Sequence, residues 1–212
     1  MFIELVDALR CPVSHEESWL VASAVRTEAR HIVIGTLGCP VCQAEYPIRD
    51  GVVDFRRDAI YVAPAVGQAD PELAMRIAAL LDLADSRGFA VLLGDWGRHA
   101  VALAGIVELP LLLVDPPEDV TGSPGISVIR TEGEAIPLAM GSARATAIDS
   151  GLEARIAAAV RMTKTGGRVI GPAGVSLPPG VRELARDESM WVAEREPDPS
   201  PLISLHVRRA QG

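Results

Sequence analysis

The sequence predicts an α/β protein in two parts. A small α+β unit covers residues 1–57, a linker covers 58–70, and a mostly parallel sheet with flanking helices, closing in an antiparallel pair, covers 71–212. Three observations support this. The stretch AVLLGDWGRHAVALAGIVELPLLLVD at 90–115 alternates an apolar run, a glycine turn, a helix-length segment and a second apolar run. Cysteines at 11, 39 and 42, two of them in the tetrad CPVC, cluster in the first fifth of the chain. A hydrophobic content of 49% over 212 residues supplies enough apolar surface for a sizeable core.

The net charge of −8 argues against a broad grip on nucleic acid, which calls for clustered Lys and Arg to neutralise phosphates. No uncharged apolar run approaches membrane-spanning length, and MFIELVDALRCP lacks the basic start and apolar core of a signal peptide. The expectation is a cytoplasmic protein that does not engage a membrane. Three cysteines suit a reducing compartment and a metal or former metal site better than a disulfide framework.

In the N-terminal unit, Ile3, Leu5, Val6 and Leu9 recur at roughly helical spacing and deliver Cys11 to a turn. A hairpin is predicted through Trp19–Val21 and His31–Leu37, then the CPVC turn, then strands around AEYPIRDGVVDF, with Asp50-Gly51 at the bend. Paired CxxC turns suit tetrahedral zinc because each presents two thiolates to one cation. Only the second is intact, since Ser14 stands where a partner for Cys11 is expected. His15 takes that place if the turn opens by one residue, so the ligand set is Cys11, His15, Cys39 and Cys42. A metal-free apolar cluster is the other reading.

The order LVDALRCP, then CPVCQAEYPIRDGVVDF, resembles the small zinc-ribbon-like activator subunits of tRNA methyltransferases over residues 1–57. The resemblance implies a zinc-ribbon-like unit combined with a helix and a small sheet. It also implies association with a methyltransferase by strand addition.

Residues 58–71 carry two prolines and no periodicity. A helix is predicted from Asp70, with Pro71 at its first position, burying Leu73, Ile77, Leu80, Leu81 and Leu83 and ending near Ser86–Gly88. The next unit places a strand at Ala90–Leu93, a turn at Gly94–Gly97, a helix at Arg98–Ile106 and a strand at Leu111–Val114. Asp115 follows Gly94 by 21 residues, about the distance at which a Rossmann unit places its ribose-holding acid. The passage to a strand at Ile126–Arg130 is too short for a full crossover helix. A strand at Ala143–Ile148, a helix at Gly151–Thr163 and a strand after the turn KTGG come next. An antiparallel pair is expected from Glu188–Arg195 and Leu202–Val207.

VLLGDWG, LLLVD, EGEAIPL and RMTKTGGRVIG, in that order, resemble motifs of class I S-adenosylmethionine-dependent methyltransferases over roughly 71–210. The resemblance implies a Rossmann-like methyltransferase fold and, as cofactor-binding positions, Gly94, Asp95, Gly97, Asp115 and Glu132. Asp115 would accept the ribose hydroxyls and Glu132 would meet the adenine amino group. Equally open, Asp115 simply ends a strand and Glu132 is a surface acid. The chain departs from the pattern at Leu92, which replaces an acid, at Trp96 and Arg98, which replace glycines, and at Arg144. Trp96 is expected to fill space that the cofactor needs. No catalytic set emerges: His31, His99 and His206 read as structural or surface residues, and Ser142 and Ser150 have no nucleophile–base partner. The favoured reading is a degenerate methyltransferase-like binding or scaffold module, or pseudoenzyme, with reduced or absent S-adenosylmethionine binding. It would join a homodimer or a protein partner through a sheet edge. The alternative is an active S-adenosylmethionine-dependent methyltransferase with a fused activator-like domain.

Overall fold

The computed structural model describes residues 1–56 and 70–198. A short 3-10 helix, Ile3–Ala8, precedes four strands: β1 (Val21–Glu28), β2 (His31–Gly38), β3 (Glu45–Arg49) and β4 (Val52–Asp54). Helix α1 (Pro71–Leu80) leads to β5 (Ala90–Leu93), a 3-10 turn at Gly94–His99, α2 (Ala100–Ala104), β6 (Leu111–Val114) and β7 (Ile126–Arg130). There follow β8 (Ala145–Ile148), a 3-10 segment at Ser150–Arg155, α3 (Ile156–Met162), β9 (Arg168–Pro172), β10 (Val181–Arg186) and β11 (Met190–Arg195).

The eleven strands of the described residues belong to one sheet, ordered β1-β2-β3-β4-β7-β6-β5-β8-β9-β11-β10. Its centre is Rossmann-like: β5 lies between β6 and β8, parallel to both, so the strand order reverses there. Every residue of β5, β6 and β8 is buried, as expected of parallel strands covered on both faces. Side chains alternate between two apolar clusters. Val91, Leu93, Leu112 and Val114 face one, while Ala90, Leu92, Leu111 and Leu113 face the other under α1 and α2.

The N-terminal strands join this sheet directly. β4 pairs in parallel with β7, Val52 opposite Val128 and Asp54 opposite Arg130. The Phe2 amide donates to Ser127 Oγ at 2.8 Å. Met1, Leu5, Leu9 and Ile48 share a cluster with Val91, Val114 and Ile129. The N-terminal segment therefore covers the β7 edge within its own chain, and burying that edge removes a row of unpaired backbone groups.

Several elements differ from expectation. α1 begins at Pro71, capped by Asp70, whose carboxylate accepts from the Glu72 amide at 2.9 Å, but it ends at Leu80 rather than near Ser86. Leu81 and Leu83 are still buried, in the turn that follows. The helices predicted at 98–106 and 151–163 are each split, with a 3-10 turn in front of a shorter α-helix. β6 and β7 connect without a helix across 115–125, as the short spacing predicted. Among the described residues the antiparallel ending is made by β11, which pairs with β9 and with β10; the other predicted arm was Leu202–Val207. The latter residues and His206 lie outside the described residues, as does nearly all of the 58–70 linker. β10 escaped detection because it is an edge strand exposed on both faces, so VRELAR carries no alternation.

Trp191 is fully buried on β11, its ring lying over Gly171 of β9. A Cβ at position 171 would stand 2.2 Å from Trp191 Cζ2. Gly171→Ala is therefore expected to destabilise the protein by about 1–3 kcal/mol through overpacking, read as a lowered urea midpoint at unchanged m-value.

Candidate functional site

Two places in the fold gather chemically competent side chains. The first is the N-terminal turn pair. The ligand atoms of Cys11, His15, Cys39 and Cys42 all lie within 4.8 Å of one another. Cys11 Sγ is 3.7 Å from Cys42 Sγ, and Cys39 Sγ is 3.5 Å from His15 Nε2. Ligands about 2.3 Å from a tetrahedral zinc ion stand about 3.8 Å apart, so the donor set and spacing fit that metal. His15 Nδ1 donates to the Glu16 carbonyl, which leaves Nε2 with its lone pair toward the sulfurs. The tight turn is closed by Gln43 N donating to Cys39 O and Cys39 N donating to Ala44 O, both at 2.9 Å. Burial opposes ionisation of Cys39, yet hydrogen bonds from the Cys42 and Val41 amides bring its thiol down to about 6. The Tyr46 hydroxyl, 3.5 Å from Cys11 Sγ, is pushed up by desolvation first and by the neighbouring sulfurs second. All four ligands named from the sequence converge, and a zinc ion could be held there.

The second place is the carboxyl end of β5 and β6, where open α/β sheets hold ligands. Gly94 leaves β5 with φ +65°, and Gly97 is buried in the turn that follows. Both glycines lie against this chain's own side chains. A Cβ on Gly94 would stand 3.0 Å from Leu152 Cδ1 and 3.1 Å from Asp149 Cβ, and one on Gly97 would stand 2.7 Å from Pro116 Cβ. Asp95 is exposed; its carboxylate accepts from Arg98 Nε at 3.2 Å, and Arg98 also reaches Asp119 at 2.9 Å.

Asp115, at φ +48°, is held by three hydrogen bonds. Its carboxylate accepts from the Thr131 amide at 2.6 Å, from the Thr131 hydroxyl, and from Arg155 Nη1 at 2.6 Å. Arg155 is buried and spends its remaining donors nearby: Nη2 on Thr131 Oγ1 and Nε on Gly133 O, each at 2.8 Å. One irregular segment supplies these groups. The 3-10 turn Ser150–Arg155, kinked at Leu152, sends Leu152 to Gly94 and Arg155 to Asp115, while Asp149 caps its start through the Ser150 amide.

Trp96 does not do what the sequence suggested. Its indole is half-buried against the apolar cluster under α1 and α2, with its ring 6.1 Å from that of His99. Leu152, by contrast, packs with the cluster on the opposite face of the sheet. The residues standing over the glycine turn are Leu152, Asp149 and Pro116. Arg155 was missed, although it sits between Leu152 and Ile156 on the stripe that carries Ala159, and a cation on a buried stripe signals a buried acid.

S-adenosylmethionine, which the resemblance implies, needs bare main chain at the glycine turn and an acid open to ribose hydroxyls. In this structure the glycine faces are covered and the acid is bonded to Arg155 and Thr131, so the residues present do not fit the cofactor in that mode. Glu132 is exposed, between Thr131 and Gly133, which bond Asp115 and Arg155, and it stands on the wall of an open cavity of about 900 Å³. That cavity also meets β3, β4, Arg56 and the metal-turn residues Pro12 and Val13.

No family model matches the chain, and no curated protein matches it. Solved structures do resemble it. A structure assigned to an S-adenosyl-L-methionine-dependent methyltransferase of Methanococcus maripaludis aligns with TM-score 0.46 and 14% identity, over 63% of this chain and 87% of that one. One assigned to a methyltransferase of Bacillus halodurans C-125 gives 0.37 and 19%, over 48% and 49%. The complex between a methyltransferase activator of Haloferax volcanii and a methyltransferase gives 0.37 and 15%, over 46% and 50%. The chain spans about half the length of the last two.

Proposed function

We propose that this chain is a degenerate methyltransferase-like binding module, in which a zinc-bearing activator-like segment is built into the same sheet. It does not take S-adenosylmethionine in the glycine-turn mode. The observation that carries the reading is the Asp115–Arg155 pair, 2.6 Å apart, at the place where a ribose would have to bond. Transfer of methyl groups by positioning alone still requires the cofactor to be held. With the β7 edge covered by β4, the sheet edges open to a second copy or a protein partner among the described residues are β1 and β10. Both strands carry register shifts, which blunt casual pairing.

Calorimetric titration of the full chain with S-adenosylhomocysteine tests the reading. The expected result is no binding up to about 1 mM, weaker than about 4 kcal/mol. Saturable binding at micromolar concentration would restore the active-methyltransferase reading, with Asp115 released from Arg155.

A further inference from the structure

The parallel pairing of β4 with β7 creates a second set of strand carboxyl ends, beside the filled pair at β5 and β6. Asp54, Phe55 and Arg56 leave β4 there, and Thr131, Glu132 and Gly133 leave β7. Between these ends lies the cavity of about 900 Å³, a volume within the range of small-molecule sites. Its walls come from both halves of the chain, so neither half alone would form it.

The walls carry three acids, Glu45, Asp54 and Glu132, and two arginines, Arg49 and Arg56, and these are not equally committed. Asp54 takes Arg56 Nε and Nη2 at 2.9 and 2.8 Å, and Arg56 Nη1 also lies 3.7 Å from Glu118. Against the desolvation that burial imposes, Arg56 holds the Asp54 carboxyl below the ordinary carboxylate range. Arg49 differs: it lines the same cavity, its side chain is exposed, and among the described residues no carboxylate lies within ion-pair distance of it. Pro47, two residues back on β3, and Val52, its partner on β4, offer apolar wall beside it, and Pro137 also lines the cavity. A planar guanidinium with uncommitted donors next to apolar surface matches a carboxylate or phosphate bidentately.

We infer that this cavity is a ligand site for a small organic anion, its carboxylate or phosphate held by Arg49 and its apolar body against Val52 and the prolines. No residue of the glycine turn lines this cavity.

Titrations of the full chain with phenyl phosphate, phenylacetate and neutral benzyl alcohol test it, the two anions telling phosphate from carboxylate. At least one anion is expected to bind with Kd below about 1 mM, with benzyl alcohol at least about tenfold weaker. Arg49→Ala should weaken the anion at least about tenfold, while Arg87→Ala, at an exposed arginine paired with Asp85, should leave it unchanged. Failure of both anions to bind, equal binding of benzyl alcohol, or unchanged affinity in Arg49→Ala would overturn the assignment. So would displacement of the bound anion by S-adenosylhomocysteine, since the cavity would then belong to the cofactor's own site.

Discussion

Arg155→Met should cost about 3 kcal/mol of unfolding free energy, the low end for removing one partner of a buried ion pair. The low end applies because Asp115 keeps 23% of its side chain exposed while Arg155 keeps 8%. Methionine preserves most of the side-chain volume, so the loss reports the charge rather than a cavity. Urea unfolding would measure it, and a loss under about 1 kcal/mol would show that the pair anchors nothing. The same variant has a second readout. With the guanidinium gone, Asp115 retains Thr131 but regains an open lone pair, and S-adenosylhomocysteine binding should become detectable in the double variant Leu152→Ala, Arg155→Met. The second substitution is needed because Leu152 covers Gly94. A folded double variant that still ignores the ligand would move the obstruction to Pro116, which lies against Gly97.

Metal removal should have an effect of similar size or larger. The purified protein is expected to carry one zinc per chain, measured by elemental analysis. Zinc binding to a small folded unit is worth about 10 kcal/mol or more in isolation. Here the N-terminal strands are also held by the shared apolar cluster and by β7, so part of the structure survives without metal. Chelation is therefore expected to cost on the order of several kcal/mol, or roughly 10 °C in Tm. His15→Ala should lose most of the zinc under mild chelation, whereas Ser14→Ala should not. A metal-free preparation whose Tm ignores chelator would leave the four residues as a thiol and imidazole cluster within an apolar unit.

How much of this was legible in the sequence depends on what each signal encodes. Buried parallel strands are continuous apolar runs, so AVLL and LLLV announced β5 and β6, and Asp70-Pro71 announced a helix start. The convergence of the four candidate ligands was legible because ligand spacing is local: His15 stands in for the missing thiol at a distance of one residue. The orientation of Trp96 was not legible. The glycine turn lies between two apolar clusters on opposite faces, and a large ring satisfies hydrophobicity in either. Nor did the spacing show that Asp115 would be bonded from within, since its partner lies 40 residues further on and reaches it through a 3-10 kink. The parallel union of β4 with β7 was equally hidden, because a three-residue strand carries almost no periodicity.

That union has a consequence for how the protein is made. Val52 and its neighbour Val128 are 76 positions apart, so during synthesis the first four strands leave the ribosome well before the strand that completes them. In that interval the open side of β4 is a sticky margin on a nascent chain. The turns that carry the four candidate ligands lie wholly within residues 11–42 and can close early. An ion captured at that stage would hold the half-built sheet in register until its central strands arrive.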